Sequence, residues 1–249
     1  MRPDAEIPFF FGADHGLFGM FHAPSMPARR AVLMCPPLGQ DLIRCHRLYR
    51  QLAQALAGLG VAVLRFDYHG TGDSAGDSAR VDWDRCVADT LVATAELRAR
   101  AGVERVVAFG ARLGGSIALT AAGAARFSEV LAWDPVVNGS HYVAALDAMQ
   151  AALREDAERF NHPRTQADVA EQWLGFDVGD QLREQLAKLR IDEVAVPTLW
   201  IDSLDVSGHR EKVTVLTPPI PWNDLRKLET AILSSALIQA VSGRMKELA

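Results

Sequence analysis

The stretch VVAFGARLGGSIAL, residues 106–119, constrains the fold more than any other part of the sequence. Its first four residues are an apolar run typical of a buried parallel strand, and the segment from residue 113 onward has the small and apolar content of a helix packed on a sheet. Gly110 and Gly114 flank Arg112 between them. Small flanking residues permit a strained strand-to-helix corner, so the Arg112 side chain is expected to project from the end of the strand.

The same alternation of short apolar strands and helices runs through the chain. Strands are predicted at residues 6–11, 16–22, 31–35, 61–66, 106–109, 129–133, 197–201 and 212–216, and helices at residues 48–59, 83–101, 113–122 and 225–248. The first two strands flank a turn-forming tetrapeptide, which predicts an antiparallel hairpin at the edge of the sheet. The pattern predicts an α/β fold with a mostly parallel sheet of about eight strands and helices on both faces.

One segment breaks this rhythm. Its three predicted helices lie near residues 142–160, 166–174 and 181–189, and no strand is expected among them. A long insertion of this kind in an α/β sheet is typical of a helical lid. We therefore divide the chain into a core of residues 1–137 and 195–249 and a lid of residues 138–194.

Composition excludes several classes of function. The chain has 249 residues with a net charge of −5, and its basic residues are scattered, so no nucleic-acid partner is expected. No apolar run approaches the ~18 residues of a membrane span, which indicates a cytoplasmic protein without a membrane partner. Three cysteines without C-x-x-C spacing predict neither disulfides nor a metal site, and no cofactor is expected. The sequence is compatible with a homodimer.

Four sequence blocks resemble the α/β-hydrolase superfamily and, more narrowly, the hydrolases associated with the exosortase A system and their relatives near biosynthetic gene clusters. The blocks are CPPLGQ at residues 35–40, FDY and GTGDS at residues 66–74, GARLG at residues 110–114 and WDPVVNG at residues 133–139. The resemblance extends over residues 16–222. It implies the α/β-hydrolase fold, with GARLG in the place of the nucleophile elbow G-x-S-x-G and Arg112 in the place of the serine.

Serine-hydrolase chemistry requires a nucleophile at this corner, a histidine after the last strand, a carboxylate that orients it and donors for the oxyanion. A guanidinium stays protonated and offers only donors, so Arg112 is no nucleophile. No histidine follows His209, which precedes the last predicted strand. We therefore expect no acyl-serine catalysis at this corner.

A cation at a helix N-terminus opposes the helix dipole by about 0.3–1 kcal/mol, so Arg112 is expected to have an anionic partner. One alternative is an ion pair with Asp134, which follows the neighbouring strand, or with Asp205, which the resemblance places near the usual acid position. The other is a ligand carboxylate or phosphate bound by Arg112 together with the helix N-terminus.

The other candidate site residues have two interpretations each. Cys35 lies where relatives carry the histidine of the oxyanion loop, and it is either a nucleophile or a small buried hydrophobe. His69 and Asp67 follow a strand end, where α/β sheets bind ligands, and they either act as acid and base or brace the glycine-rich loop. The resemblance further implies ligand contacts for the oxyanion loop, for the residue after the elbow and for an aromatic residue after the last strand; these are Leu38, Gly39, Gln40, Leu113 and Trp222.

Three functions are consistent with these residues. The first is an enzyme that handles an acyl, ester or carboxylate metabolite without a Ser-His-Asp triad, with Arg112 as the oxyanion stabiliser. The second is a catalytically inactive pseudohydrolase that binds a ligand or a partner protein. The third is a residual hydrolase that uses Cys35, or water activated by Asp205 or His69.

Overall fold

The computed structural model describes residues 6–156, 172–204 and 213–248. Its strands are β1 Glu6–Phe11, β2 Leu17–His22, β3 Ala31–Cys35, β4 Ala62–Phe66, β5 Val106–Ala111, β6 Glu129–Trp133, β7 Gln172–Trp173, β8 Phe176–Asp177, β9 Thr198–Asp202 and β10 Val213–Val215. Within these residues, eight strands form one sheet in the order β1-β2-β4-β3-β5-β6-β9-β10. The hairpin of β1 and β2 is antiparallel and forms one edge, and β4 onward pair in parallel. The predicted mostly parallel sheet is confirmed.

The helices are α1 Gln40–Gly58, α2 Trp83–Ala101, α3 Leu113–Ala125, α4 Gly139–Arg154, α5 Asp180–Lys188 and α6 Ser235–Glu247. None of the helices in the described ranges is long and apolar enough to cross a membrane. The boundaries of α2 follow local chemistry: the Asp82 carboxylate accepts a hydrogen bond from the Arg85 N–H at one end, and Gly102 adopts a left-handed conformation at the other.

Helices cover both faces of the sheet because successive strand residues point to opposite sides. On β3 and β5, Leu33 and Ala108 pack in the cluster that contains α3, whereas Met34 and Phe109 pack in the cluster that contains α1 and α6. Both sets are fully buried. Parallel strands that are apolar on both faces therefore form the centre of the core.

The segment between β6 and β9 differs from the predicted run of helices. It contains the two-stranded sheet of β7 and β8, whose turn passes through Leu174 and Gly175 at φ of 54° and 91°. A glycine at positive φ favours such a tight hairpin. The prediction of a helix up to residue 174 and of no strand in this segment was therefore wrong. Residues 157–171, including the predicted end of the preceding helix, lie outside the described residues.

Two other helix boundaries also differ from the predictions. Helix α1 begins at Gln40 and not at residue 48, because the chain turns directly into the helix at Gly39, whose φ is 60°. The closing helix α6 begins only at Ser235, after Ser234 caps it by accepting from the Leu237 N–H. The earlier start of α1 brings its first turn to the end of the sheet where β5 also ends.

His22 provides a test of this core through pH. Its ring is fully buried, and its Nε2 accepts a hydrogen bond of 3.0 Å from the Arg65 Nε. Burial, together with the positive charges of Arg65 and Arg50 and against the attraction of Glu6, lowers the pKa of His22 to about 4. The folded state therefore resists a proton that the unfolded chain takes up below its ordinary pKa of about 6.5.

We predict that the unfolding free energy decreases as the pH is lowered from about 6.5 to about 4. His22 should contribute at most about 1.4 kcal/mol per pH unit to this decrease. Urea unfolding of the wild type and of His22→Gln, which keeps an acceptor but does not titrate, measures this contribution as the difference between the two pH profiles. A constant difference across this range would contradict the assignment.

Candidate functional site

A sharp corner joins β5 to α3, and Arg112 lies at its centre with φ 50° and ψ −127°. This conformation is strained for a residue with a side chain, and the backbone around it holds it in place. The Arg112 N–H donates to the Trp133 carbonyl at 2.9 Å, and the Arg112 carbonyl accepts from the Ser116 N–H at 3.1 Å. The corner also needs glycines, since a Cβ on Gly114 would lie 2.3 Å from the Cys35 carbonyl oxygen.

A cavity of about 210 Å³ opens above this corner. Its walls are apolar side chains from α1, α4, the β7–β8 hairpin and α5, among them Ile43, Leu146, Met149, Trp173, Phe176 and Leu182. Its polar groups include Gln40, Asp41, Thr71, Arg112 and Tyr142. An apolar cavity with a few converging polar groups is the usual form of a small-molecule site.

The Arg112 guanidinium lies at the polar end of the cavity and is 9% exposed. Its Nε is 3.4 Å from the Asp41 Oδ2, and its Nη1 is 3.4 Å from the backbone oxygen of Asp134. The Arg112 Cζ lies 5.3 Å from the ring centroid of Tyr142 and 5.2 Å from that of Trp222. One carboxylate and two aromatic rings therefore stabilise the buried cation.

Asp41, in the first turn of α1, was missed by the sequence reasoning because the predicted helix began at residue 48. Its Oδ2 contacts the Arg112 Nε, and the Tyr142 side chain, which also lies against Arg112, is close enough to influence the pKa of Asp41. Burial raises the pKa of Asp41, although the charges of Arg112 and Arg44 and the interactions with Arg112 and Tyr142 oppose the shift. An acidic residue two positions after Gly39 was the available signal, since acidic side chains are favoured in a first helical turn.

The predicted ion pair between Arg112 and the Asp134 side chain is absent. The Asp134 carboxylate instead accepts from the Ser203 N–H at 2.7 Å, from the Ser203 hydroxyl and from the Trp222 Nε1 at 2.7 Å. These donors satisfy a carboxylate whose pKa is raised by burial. Among the described residues the ion-pair partner of Arg112 is Asp41. The other predicted partner, Asp205, and also His209 lie outside the described residues.

The remaining predicted ligand contacts lie together at the cavity. Leu38, Gly39, Gln40, Leu113 and Trp222 all line it. The Gln40 side chain is held by a hydrogen bond of 2.6 Å from its Nε2 to the Leu228 carbonyl. Leu113 is the first residue of α3, so its N–H has no acceptor within the helix and is available at the cavity floor.

Cys35 and His69 do not line the cavity. Cys35 is fully buried, and burial raises the pKa of its thiol to about 12, so it is not a nucleophile near neutral pH. The ring of His69 packs on Gly76, where a Cβ would lie 2.4 Å from the ring Cε1. The neighbouring Asp67 braces the glycine-rich loop by accepting from the Asp73 N–H at 3.0 Å.

In the part of the chain that the structure describes, no group of three or more His, Cys, Asp or Glu side chains is placed to hold a metal ion. The described residues that line the cavity include two acidic side chains, Asp41 and Asp177, and no histidine. The site is thus described by one paired cation, backbone donors and apolar walls.

Comparisons with known proteins agree with this architecture. Residues 28–160 match the family model Hydrolase_4, described as serine aminopeptidase, S33. An esterase from Pyrococcus furiosus is 15% identical over 97% of this chain and 88% of its own, with a TM-score of 0.65. Est1E from Butyrivibrio proteoclasticus is 14% identical over 96% of this chain and 98% of its own, with a TM-score of 0.63.

A serine hydrolase without a lid from Xanthomonas campestris is 22% identical, and the chain covers 64% of its length with a TM-score of 0.47. The sequence matches no curated protein. The likeness to the Pyrococcus furiosus esterase and to Est1E, whose TM-scores are 0.65 and 0.63, establishes the fold alone at these identities.

Two glycine-to-alanine substitutions, one at the corner and one in α6, should have opposite effects on the unfolding free energy. Gly114→Ala places a Cβ against the backbone oxygens of Cys35 and Pro36, so we expect a loss of about 1–3 kcal/mol in unfolding free energy. Gly243→Ala is the matched control, because α6 leaves that position open, and it should gain about 0.5–1 kcal/mol. Denaturant unfolding measures both. Equal stabilities for the two variants would contradict the close approach at the corner.

Proposed function

Because the chain belongs to the serine aminopeptidase family S33, on the α/β-hydrolase fold, we propose that its cavity holds an acyl, ester or carboxylate metabolite. In this proposal Arg112 donates to an oxygen of the ligand and stabilises negative charge on it, and the acyl body lies against the apolar walls. No serine hydroxyl takes part, and Arg112 stands where the resemblance places the nucleophile of serine hydrolases.

One observation carries the proposal: Arg112 is the only cation among the described residues that line an otherwise largely apolar cavity. Its contacts with Asp41 and the Asp134 carbonyl use Nε and Nη1, and no acceptor among the described residues takes its other N–H groups. The Leu113 N–H begins α3 beside it. Fixed donors in a partly dry site favour an oxygen that carries or develops negative charge.

The neighbouring serine supports a mechanism without a serine nucleophile. Ser116 lies one turn into α3 and is fully buried. Its hydroxyl donates to the Val136 carbonyl at 2.7 Å and lies 3.1 Å from the Arg112 carbonyl. A hydroxyl committed to backbone oxygens is not available to attack a ligand.

The proposal includes a lid. Helix α4, the β7–β8 hairpin and α5 supply much of the apolar wall, so a ligand would enter between these elements and the sheet. The Trp173 indole donates to the Asp147 carboxylate at 2.7 Å, which links the hairpin to α4. The lid of residues 138–194 is then a cover that provides ligand contacts as well as access control.

A second candidate function is a pseudohydrolase that binds the ligand without turnover. The observation in its favour is the absence of histidine from the described lining, since proton transfer at neutral pH most often uses that residue. The third possibility loses support where it depends on Cys35 or His69, because neither lines the cavity. Incubating the protein with the acyl esters that it binds and following product release separates turnover from binding.

We predict that Arg112→Ala weakens the tightest ligand by about 1.5–3 kcal/mol, because a charge-assisted hydrogen bond is lost. The ligand is chosen by calorimetry from hexanoic, benzoic and cinnamic acids and their primary amides. Arg112→Lys should recover only part of the affinity, since the planar fork of donors is lost. Arg183→Ala is the matched control, as Arg183 lies over the Trp173 ring outside the described lining.

The stability of these variants must be followed as well, because Arg112→Ala leaves Asp41 without its ion-pair partner. Combining Arg112→Ala with Asp41→Asn removes both charges and preserves a neutral site. If the folded double variant binds the same ligand as tightly as the wild type, Arg112 does not contact the ligand and the proposal is wrong.

We further predict that fluorophosphonate probes, which label activated serines, do not modify the wild type. Arg112→Ser should also remain unlabelled, because a serine at the corner would have no histidine in the described lining to take its proton. Intact-mass spectrometry reads both results, with a serine hydrolase as the positive control. Stoichiometric labelling of the wild type would show an activated serine and refute this mechanism.

A further inference from the structure

The charges buried around the cavity floor cancel. Two cations, Arg112 and Arg44, and two carboxylates, Asp41 and Asp134, are each buried or nearly so in the described structure. Arg44 is not among the lining residues of the cavity, and it donates to the carbonyls of Trp222 and Pro221 at 2.8 Å. These four side chains carry one negative charge for each positive charge, so their charges sum to zero before any ligand enters.

Asp41 neutralises Arg112, the one cation among the described residues that line the cavity. Its Oδ2 is 3.4 Å from the Arg112 Nε, and both side chains line the same cavity. A ligand oxygen bound to the free N–H groups of Arg112 would therefore approach Asp41 as well. A second carboxylate would face repulsion that the apolar walls screen poorly, whereas a neutral carbonyl would meet the same donors without it.

We infer that Asp41 sets the charge class of the ligand, so that the cavity selects a neutral acyl group, an ester, thioester or amide carbonyl, over a free carboxylate. This inference rests on the proposed function, since it concerns the same Arg112 contact. It narrows the acyl, ester or carboxylate class to its uncharged members. Asp41 is a specificity residue in this account and takes no part in bond making.

The surroundings of Asp41 fix it in this role. Tyr142, on α4 in the proposed lid, lies against Arg112, with its ring centroid 5.3 Å from the Arg112 Cζ. Asp41 is paired with the same guanidinium, and its side chain is only 13% exposed. Burial raises the pKa of Asp41, and the charges of Arg112 and Arg44 oppose that shift and favour the carboxylate form.

The cavity volume limits the size of the acyl group. A cavity of about 210 Å³ is small for a ligand site, so small acyl groups are the appropriate probes. Hexanoyl, benzoyl and cinnamoyl groups supply a linear chain, a ring and an extended ring. Each primary amide has the shape of its acid but carries no charge, so an acid and its amide form a matched pair that differs in charge at the carbonyl end.

The experiment is a three-step charge series read by calorimetry at about pH 7.5. The wild type should bind each amide at least about tenfold more tightly than its acid. Asp41→Asn removes one negative charge from the floor and should shift the ratio of acid affinity to amide affinity toward the acid by at least about tenfold. Arg112→Gln removes one positive charge, so it should shift this ratio further toward the amide and weaken the binding of both ligands.

Two controls separate charge from shape. Glu184→Gln removes an exposed carboxylate from α5, outside the described lining, and should leave the ratio unchanged. The double variant Asp41→Asn with Arg112→Gln restores neutrality and should return the ratio to that of the wild type at lower affinity. If Asp41→Asn does not fold, Arg112→Gln and the double variant still measure the effect of charge.

The outcomes distinguish this inference from the proposed function. An acid that binds the wild type as tightly as its amide, or a ratio that does not change across the series, overturns the role of Asp41 while Arg112 can still contribute to affinity. Amide binding that is insensitive to Arg112→Gln, or no binding of any pair, contradicts the proposed function itself.

Discussion

The corner between β5 and α3 depends on a backbone approach that only glycine allows. A Cβ at Gly110 would lie 2.4 Å from the Gly114 carbonyl oxygen, and one at Gly114 would meet the end of β3. This packing holds Arg112 at positive φ and directs its side chain beyond the carboxyl ends of the central strands. The position of the cavity, and the elements that enclose it, follow from that direction.

A guanidinium directed into an apolar cavity needs partners, and distant parts of the chain supply them. Asp41 belongs to α1, Tyr142 to α4 and Trp222 to the loop after β10, and all three contact Arg112. The cation thus connects the core of the fold with the segment proposed as its lid. The Asp134 carboxylate is bonded separately and accepts hydrogen bonds from Ser203 and Trp222.

In the proposed function, this arrangement directs a hydrolase scaffold toward recognition of an acyl oxygen. The fold still presents a helix N-terminus and a loop with backbone donors at the end of the sheet. The centre of the corner supplies a fixed positive charge that a carboxylate neighbour balances. A neutral pair in an apolar cavity binds a polar, uncharged carbonyl without an unpaired charge in the interior, which is the physical basis for the proposed selectivity.

The sequence by itself determined the sheet, its parallel pairing and the corner at Arg112. These features depend on local signals, which are apolar runs of strand length and the glycines beside Arg112. Only the tertiary structure decided that Arg112 pairs with Asp41 rather than with the Asp134 side chain, and that Cys35 lies away from the cavity. Such outcomes depend on how segments far apart in sequence approach one another, and side-chain pairing over 71 positions leaves no periodic pattern in the chain.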